Sequence, residues 1–265
     1  MEKPYWYRQE PGKPLFPDLL WSRPENRQMA GKLLIVGGNL HGFAAPADAY
    51  REAMKAGIGA ARVLLPDALR KTVGPVLEAG EFAPSTPSSG SFSQKALDEW
   101  LFQSSWADGT LLAGDLGRNA ETAILLEKFL TKFPGQIILT KDAGDYLSTT
   151  AQAVGHRPQT LLVLSLAQLQ RFAIALKYSE PITFSLDLLR LVDWLHKFTA
   201  AYAPHIIVKH LDTIFVAVGG QVSTTKLRED LPIWRLKTAA HAAVWWVQNA
   251  ERPFEALTTA LLDQE

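Results

Sequence analysis

Short unbroken apolar runs alternate with longer stretches of helical spacing along most of this chain. Leu33-Leu34-Ile35-Val36 ends in Gly37-Gly38, the pattern of a strand buried on both faces. A helix is predicted over residues 45–56 and closed by Gly57, because glycine readily takes the left-handed conformation that ends helices. Residues 61–65 follow as a second strand stopped by Pro66, with Asp67 as the expected N-cap of a short helix. Residues 80–93, with Ser-Thr-Pro-Ser-Ser-Gly at their centre, read as a surface loop. The rhythm then resumes with helix 94–104, strand 110–113, helix 120–132, strand 136–140, strand 161–164 and helix 166–178. Leu188, Leu191, Val192 and Leu195 mark one face of an amphipathic helix over 186–201.

The pattern changes in the last third. Three short strands, 205–209, 213–218 and 221–225, come in quick succession, the last two split by the hairpin signal Gly219-Gly220. Helices 234–248 and 253–262 close the chain. This alternation predicts an α/β protein, a three-layer α/β/α sandwich around a mainly parallel sheet with an antiparallel hairpin at one edge. Residues 31–265 read as one domain, without repeat or linker. Residues 1–30 stand apart as an arm rich in proline (Pro4, Pro11, Pro14, Pro17, Pro24) and aromatics (Tyr5, Trp6, Tyr7, Phe16, Trp21). That proline density predicts no regular helix. The aromatics predict an extended arm strapped onto the body or onto a neighbouring subunit.

Charge and composition narrow the partners. Lys+Arg and Asp+Glu each total 27, so the formal net charge is zero. Without a basic excess, neither a nucleic-acid polymer nor a membrane surface is an expected partner. Cysteine is absent, which excludes disulfides, thiolate metal sites and cysteine nucleophiles. No apolar run approaches the ~20 residues that span a bilayer, and the opening residues lack the apolar core of a signal peptide. The expected location is the cytoplasm. No nucleophile elbow, Walker loop, metalloprotease helix, zinc-finger spacing or dinucleotide fingerprint is present. His205 and His210 are five apart on a strand and fall on opposite faces, so no metal pair is expected there. His241, set among alanines, reads as a packed helical histidine.

Two glycine-containing turns carry the candidate chemistry. Gly37-Gly38-Asn39-Leu40-His41-Gly42 and Gly114-Asp115-Leu116-Gly117-Arg118 each follow a predicted strand and precede a helix, where α/β sheets hold small ligands. From about Lys32 onward, the motif order resembles the ribokinase-like superfamily, and within it the ADP/ATP-dependent NAD(P)H-hydrate dehydratases. Gly37-Gly38-Asn39 through Phe43-Ala44-Ala45-Pro46 is similar to that family's Gly-Gly-Ser turn and Gly-Ala-Pro helix start. Ala56-Gly57-Ile58-Gly59-Ala60 is similar to its Ala-Gly-Ala-Gly link, and Gly114–Arg118 to its Gly-Pro-Gly-Leu-Gly turn. Ile206–His210 resembles its strand ending in Lys-Gly, and Thr213–Val216 the strand after it. The resemblance implies a ligand pocket at Gly37, Gly38, Asn39, His41, Gly42, Gly114, Asp115, Gly117 and Arg118. It also implies ATP or ADP with Mg²⁺ as cofactor, its phosphates near Lys209, Arg235 and Lys237.

The departures from the family pattern are concentrated where chemistry would occur. Its Asp-Ala-Asp segment reads Leu139-Thr140-Lys141-Asp142, and its Thr-Pro-His turn reads Leu164-Ser165-Leu166. Its Gly-Thr-Gly-Asp signature falls over Ile233-Trp234-Arg235-Leu236, with Leu236 in the place of the aspartate. In the superfamily that turn's amides neutralise a developing anion and the aspartate takes a proton. Losing both, each typically worth ~10²-fold or more, predicts turnover reduced by ~10⁴ or beyond.

Asp142 and Asp230 are the candidates for a relocated base. Asp142 reads first as the N-cap of a helix over 143–150, and Asp230 sits with Glu229 in a polar loop beside Arg228 and Pro232. Asp115 is either a ligand group or a carboxylate bonded to local amides. Arg235 and Lys237 either hold a phosphate at the helix N-terminus or fill the anion site themselves.

Three functions follow. The first is a degenerate NAD(P)H-hydrate dehydratase-like protein, inactive or weak, that keeps a nucleotide or metabolite pocket. The second is an active ATP/ADP-dependent dehydratase or small-molecule kinase with a relocated base. The third is an assembly protein, a homo-oligomer whose arm clasps its neighbour.

Overall fold

The computed structural model describes residues 3–75, 77–226 and 234–262. Its strands are β1 (Trp6–Gln9), β2 (Lys32–Gly37), β3 (Ala60–Pro66), β4 (Gly80–Ala83) and β5 (Gly109–Gly114), then β6 (Gln136–Thr140), β7 (Thr160–Ser165), β8 (His205–His210), β9 (Thr213–Val218) and β10 (Gln221–Lys226). They form one ten-stranded sheet in the order β1-β10-β9-β8-β7-β6-β5-β2-β3-β4. Strands β4 to β8, with β2 and β3 among them, pair in parallel, β9 runs antiparallel to both β8 and β10, and β1 lies parallel to β10. The central strands are buried along nearly their whole length, which is why their sequences are continuous apolar runs.

The helices are α1 (Pro17–Trp21), α2 (Ala44–Lys55), α3 (Arg70–Val73), α4 (Leu97–Trp106) and α5 (Ala120–Lys132), followed by α6 (Leu147–Gly155), α7 (Leu166–Ala175), α8 (Leu188–Ala201), α9 (Trp234–Gln248) and α10 (Pro253–Thr259). They cover both faces of the sheet. Trp100, Phe129, Phe172 and Phe198 of α4, α5, α7 and α8 fill one side. Trp245, Trp246 and Leu257 of α9 and α10, with the alanines of α2, fill the other. The result is the three-layer α/β/α sandwich that the pattern predicts. Helix α7 stops at Ala175, before residue 178, because Lys177 takes a left-handed φ of 57°. No helix among the described residues is long and apolar enough to cross a membrane.

Three expectations are corrected. Residues 80–83 are not loop but strand β4, paired to β3 at the sheet edge; only from Pro84 do the turn residues take over. A four-residue edge strand is too short to declare itself by periodicity. Asp67 does not cap its turn. Its carboxylate instead accepts from the Ser85 amide at 3.0 Å and from the Ser85 hydroxyl, holding the loop after β4. The arm also contains a helix, since Pro17 occupies the first turn of α1, where proline's missing N–H has no partner to lose.

Residues 3–9 lie against the body of the same chain. Tyr5 stacks on His196 of α8 with ring centres 3.6 Å apart, and its hydroxyl donates to Asp193 Oδ1 at 2.7 Å. Lys3 reaches the same carboxylate. Gln9, buried, donates to Thr225 Oγ1 and to the Thr258 carbonyl.

Candidate functional site

The site grows from the carboxyl ends of β2 and β5. A Cβ on Gly37 would stand 2.3 Å from the Gly114 carbonyl oxygen, so only glycine lets the two backbones approach. Gly38, at φ +90°, then donates its N–H to that same oxygen at 3.1 Å. Asn39 and Gly42 close on each other through paired backbone bonds of 2.8 and 3.1 Å, and the Asn39 amide donates to the Asp115 carbonyl at 2.6 Å. His41, exposed, donates its backbone N–H to Asn39 Oδ1. The two glycine turns that the sequence places far apart therefore form one unit.

Asp115 takes a left-handed φ of 56°, which turns its carboxylate across to α2. Oδ2 accepts from the Ala45 amide at 2.7 Å, and Oδ1 faces Lys141 Nζ at 3.7 Å. Of its two readings, amide bonding describes it, but the amide belongs to another element and is the free donor of a helix N-terminus.

Asp142 is not a helix N-cap. It lies inside a 3₁₀ stretch, Lys141–Tyr146, whose N-cap is Thr140. The left-handed φ of 52° at Lys141 accompanies a turn of the chain that carries the carboxylate back to the Gly114–Gly117 turn. Oδ2 accepts from the Gly117 amide at 3.1 Å, while Oδ1 is buried with no hydrogen-bond partner among the described residues. Burial raises its pKa above the ordinary 3.8, and the Asp115 charge adds to the rise. Tyr146 clamps the same turn, donating to the Gly117 carbonyl and accepting from the Asn119 amide at 3.3 Å.

The raised pKa fixes a pH dependence. The folded state holds the Asp142 proton more tightly than the unfolded chain, so the ionised carboxylate costs stability above its folded pKa. That cost fades as pH falls toward 3.8. Asp142→Asn keeps an acceptor for Gly117 and removes the charge. It is expected to flatten the stability–pH curve in that window, as read by urea denaturation at several pH values.

Gln168 ties the far side of the site together. It forms a capping box with Ser165 at the start of α7. Its Nε2 donates to the Lys141 carbonyl at 2.7 Å and to Asp145 Oδ1 at 2.9 Å, and its Oε1 accepts from Arg235 Nη1 at 2.9 Å. Arg235 thus lies in the first turn of α9 with its guanidinium bound to α7. Leu236, the next residue, is buried in the apolar layer of α2 and α9. Lys209, at the end of β8, and Lys237 are half-buried and not free of contacts. Arg118 is exposed. Asp230 and the rest of 227–233 lie outside the described residues.

Lys141, Tyr146 and Gln168 are members of the site that sequence reasoning missed. Only Gln168 had a local signal, the Ser-x-x-Gln spacing of a capping box. Among the described residues no group of three or more His, Asp or Glu side chains is placed to hold a metal. His205 is half-buried, packed against Trp246, and desolvation drives its pKa down to about 4, while His210 Nε2 faces the Leu186 carbonyl at 3.0 Å. His241 packs in α9 with Nε2 at 3.3 Å from Glu52 Oε2.

No protein-family model matches the sequence, and no curated protein matches it. Solved structures do resemble it. A ribokinase-like superfamily protein from Enterococcus faecalis matches 99% of this chain and 87% of its own at TM-score 0.70 and 14% identity. The ADP/ATP-dependent NAD(P)H-hydrate dehydratase from Bacillus subtilis, co-crystallised with ATP/Mg²⁺, matches 94% of this chain and 86% of its own at TM-score 0.59 and 12% identity. The pyridoxal kinase from Staphylococcus aureus, in complex with AMP-PCP and pyridoxal, matches 87% and 85% at TM-score 0.54 and 12% identity. Identities this low establish the fold, and the fold is ribokinase-like.

Proposed function

We propose that this chain binds a nucleotide or nucleotide-like metabolite at the carboxyl ends of β2, β5, β6 and β7 and is a degenerate relative of the hydrate dehydratases, turning its ligand over weakly or not at all. The observation that carries the reading is the first turn of α9. Leu236, aligned with the family's aspartate, is buried among apolar side chains, and the guanidinium beside it is bound to Gln168. A leucine accepts no proton, and a buried one reaches no ligand, so this turn lacks the base that phosphoryl transfer or hydrate elimination requires.

Binding has better support. The backbone cradle of Gly37–Gly42 and Gly114–Gly117 is complete, and Lys141 and Arg235 supply positive charge around it. The Bacillus subtilis dehydratase was co-crystallised with ATP/Mg²⁺ and the Staphylococcus aureus kinase with AMP-PCP, which makes nucleotides the first ligands to try. Were Mg²⁺ to come in with the phosphates, Asp142 would be the carboxylate to hold it, and its Oδ1, buried and without a partner among the described residues, would first have to be uncovered.

One observation favours a second reading, an enzyme with a relocated base. Asp142 has a raised pKa and that unpartnered oxygen, the combination expected of a general base. A single experiment separates the readings. Thermal unfolding is followed with ATP, ADP, NADH and NADPH, with and without Mg²⁺, and hydrated NADH is then offered with ATP or ADP. A ligand at 100 times its Kd stabilises the fold by ~2.7 kcal/mol. Stabilisation without turnover is the expected outcome. Turnover abolished by Asp142→Asn would establish the second reading, and no stabilisation by any of the four would retire the nucleotide.

A further inference from the structure

On the opposite half of the sheet, β1, β10 and the start of α8 enclose a groove of about 460 Å³ lined by Trp6, Arg8, Leu188, Leu189, Thr224 and Lys226, among others. Strand β10 is five positions from β5 in the sheet, so the groove lies roughly 24 Å from the glycine turns at ~4.8 Å per strand. It is separate from the site described above, and nothing in the nucleotide reading depends on it. Its volume falls in the range of small-molecule sites.

Polar and apolar groups are segregated within the groove. Trp6 is fixed, its Nε1 donating to Thr224 Oγ1 at 3.0 Å. The Arg8 guanidinium lies over the Trp6 ring, 3.9 Å from its centre, and pairs with no carboxylate among the described residues. Lys226 is already matched by Asp212 at 3.1 Å. Leu188 and Leu189 stand 38% and 48% exposed on the opposite wall, an unusual position for two leucines at the start of a helix. Among the described residues the groove therefore offers one uncompensated cation, stacked near an indole, beside an apolar wall.

We propose that this groove binds a small aromatic monocarboxylate. The Arg8 guanidinium calls for one negative charge, since a second would meet Asp212 beside Lys226. The planar guanidinium presents paired N–H donors to a carboxylate and an open face to a ring. Leu188 and Leu189 cover the other face of that ring, removing apolar surface from water. The arm strand β1 then has a role beyond closing the sheet edge, because it carries both Trp6 and Arg8.

The test is isothermal titration of the full chain with 2-naphthoate, with the neutral 2-naphthamide as control. Arg8→Gln and Leu189→Ser are compared with the unsubstituted protein, with their thermal unfolding recorded. Both residues are exposed, so both variants keep the fold. Binding of 2-naphthoate is expected, weakened about tenfold or more in Arg8→Gln, weakened also in Leu189→Ser, and much weaker for the amide. No binding of 2-naphthoate, or equal binding by the unsubstituted protein and Arg8→Gln, would overturn the proposal.

Discussion

Replacing Arg157 by leucine is expected to lower the unfolding free energy by about 4 kcal/mol, among the largest losses a single substitution produces. The guanidinium is buried and donates to six acceptors: the carbonyls of Leu130, Phe133, Gly135, Pro158 and Gln159, and Thr160 Oγ1. These belong to the end of α5, the turn before β6 and the entry to β7, so one side chain joins three segments at the amino edge of the sheet. Desolvation alone presses the Arg157 pKa down to about 10, still far above neutrality, and the six acceptors favour the charged form. Leucine fills the volume but leaves the carbonyls without donors, and each buried unsatisfied group costs about 1–3 kcal/mol unless water reaches it. Arg157→Lys supplies three donors in place of the fork and is expected to recover only part of the loss. Denaturant titration checks this, with a lowered midpoint at unchanged slope. A loss under about 1 kcal/mol would mean that water replaces the guanidinium.

Leu236→Asp, which places an aspartate where the proposed alignment puts that of the hydrate dehydratases, is expected to cost about 3–5 kcal/mol of stability and to confer no hydrate turnover. If residue 236 faced the cleft, a carboxylate there would be hydrated and tolerated. Leu236 is instead 3% exposed and packs in the layer with Ala239, Ala240 and Ala243 of its own helix and the alanines of α2. Aspartate would either carry a charge into that layer or take up a proton to avoid it, and both lower stability. Leu236→Met, of similar volume, is expected to cost under about 1.5 kcal/mol. The comparison is read by urea denaturation of both variants, with hydrate turnover assayed on each. A stable Leu236→Asp protein that gains turnover would show that residue 236 opens onto a working cleft.

Much of this architecture was legible in the chain, for a local reason. A parallel strand covered on both faces must be apolar at consecutive positions, and β6 and β9 appear in the sequence with the bounds they have in the structure. Helices α5 and α9 do too, since their apolar periodicity lies within their own residues. The two glycine turns were equally visible, because close backbone approach at Gly37 and a φ of +109° at Gly114 favour glycine.

What the chain left undetermined is whatever depends on a distant partner. Strands β1 and β4 exist through pairing at the sheet edges, β1 with residues more than 200 positions away, and four residues carry no period that announces this. Asp142 bonds Gly117, Asp115 bonds Ala45, and Arg235 bonds Gln168. A carboxylate's sequence neighbours do not say which amide it meets. Left-handed backbone at Asp115 and Lys141 accompanies both carboxylates' turn toward these partners, and neither residue type signals it. The sequence alone thus determined the layers and the order of the central strands and helices, since burial of apolar surface follows local pattern. Only the tertiary structure decided which polar groups are spoken for and which remain free, because hydrogen-bond partners are chosen in space.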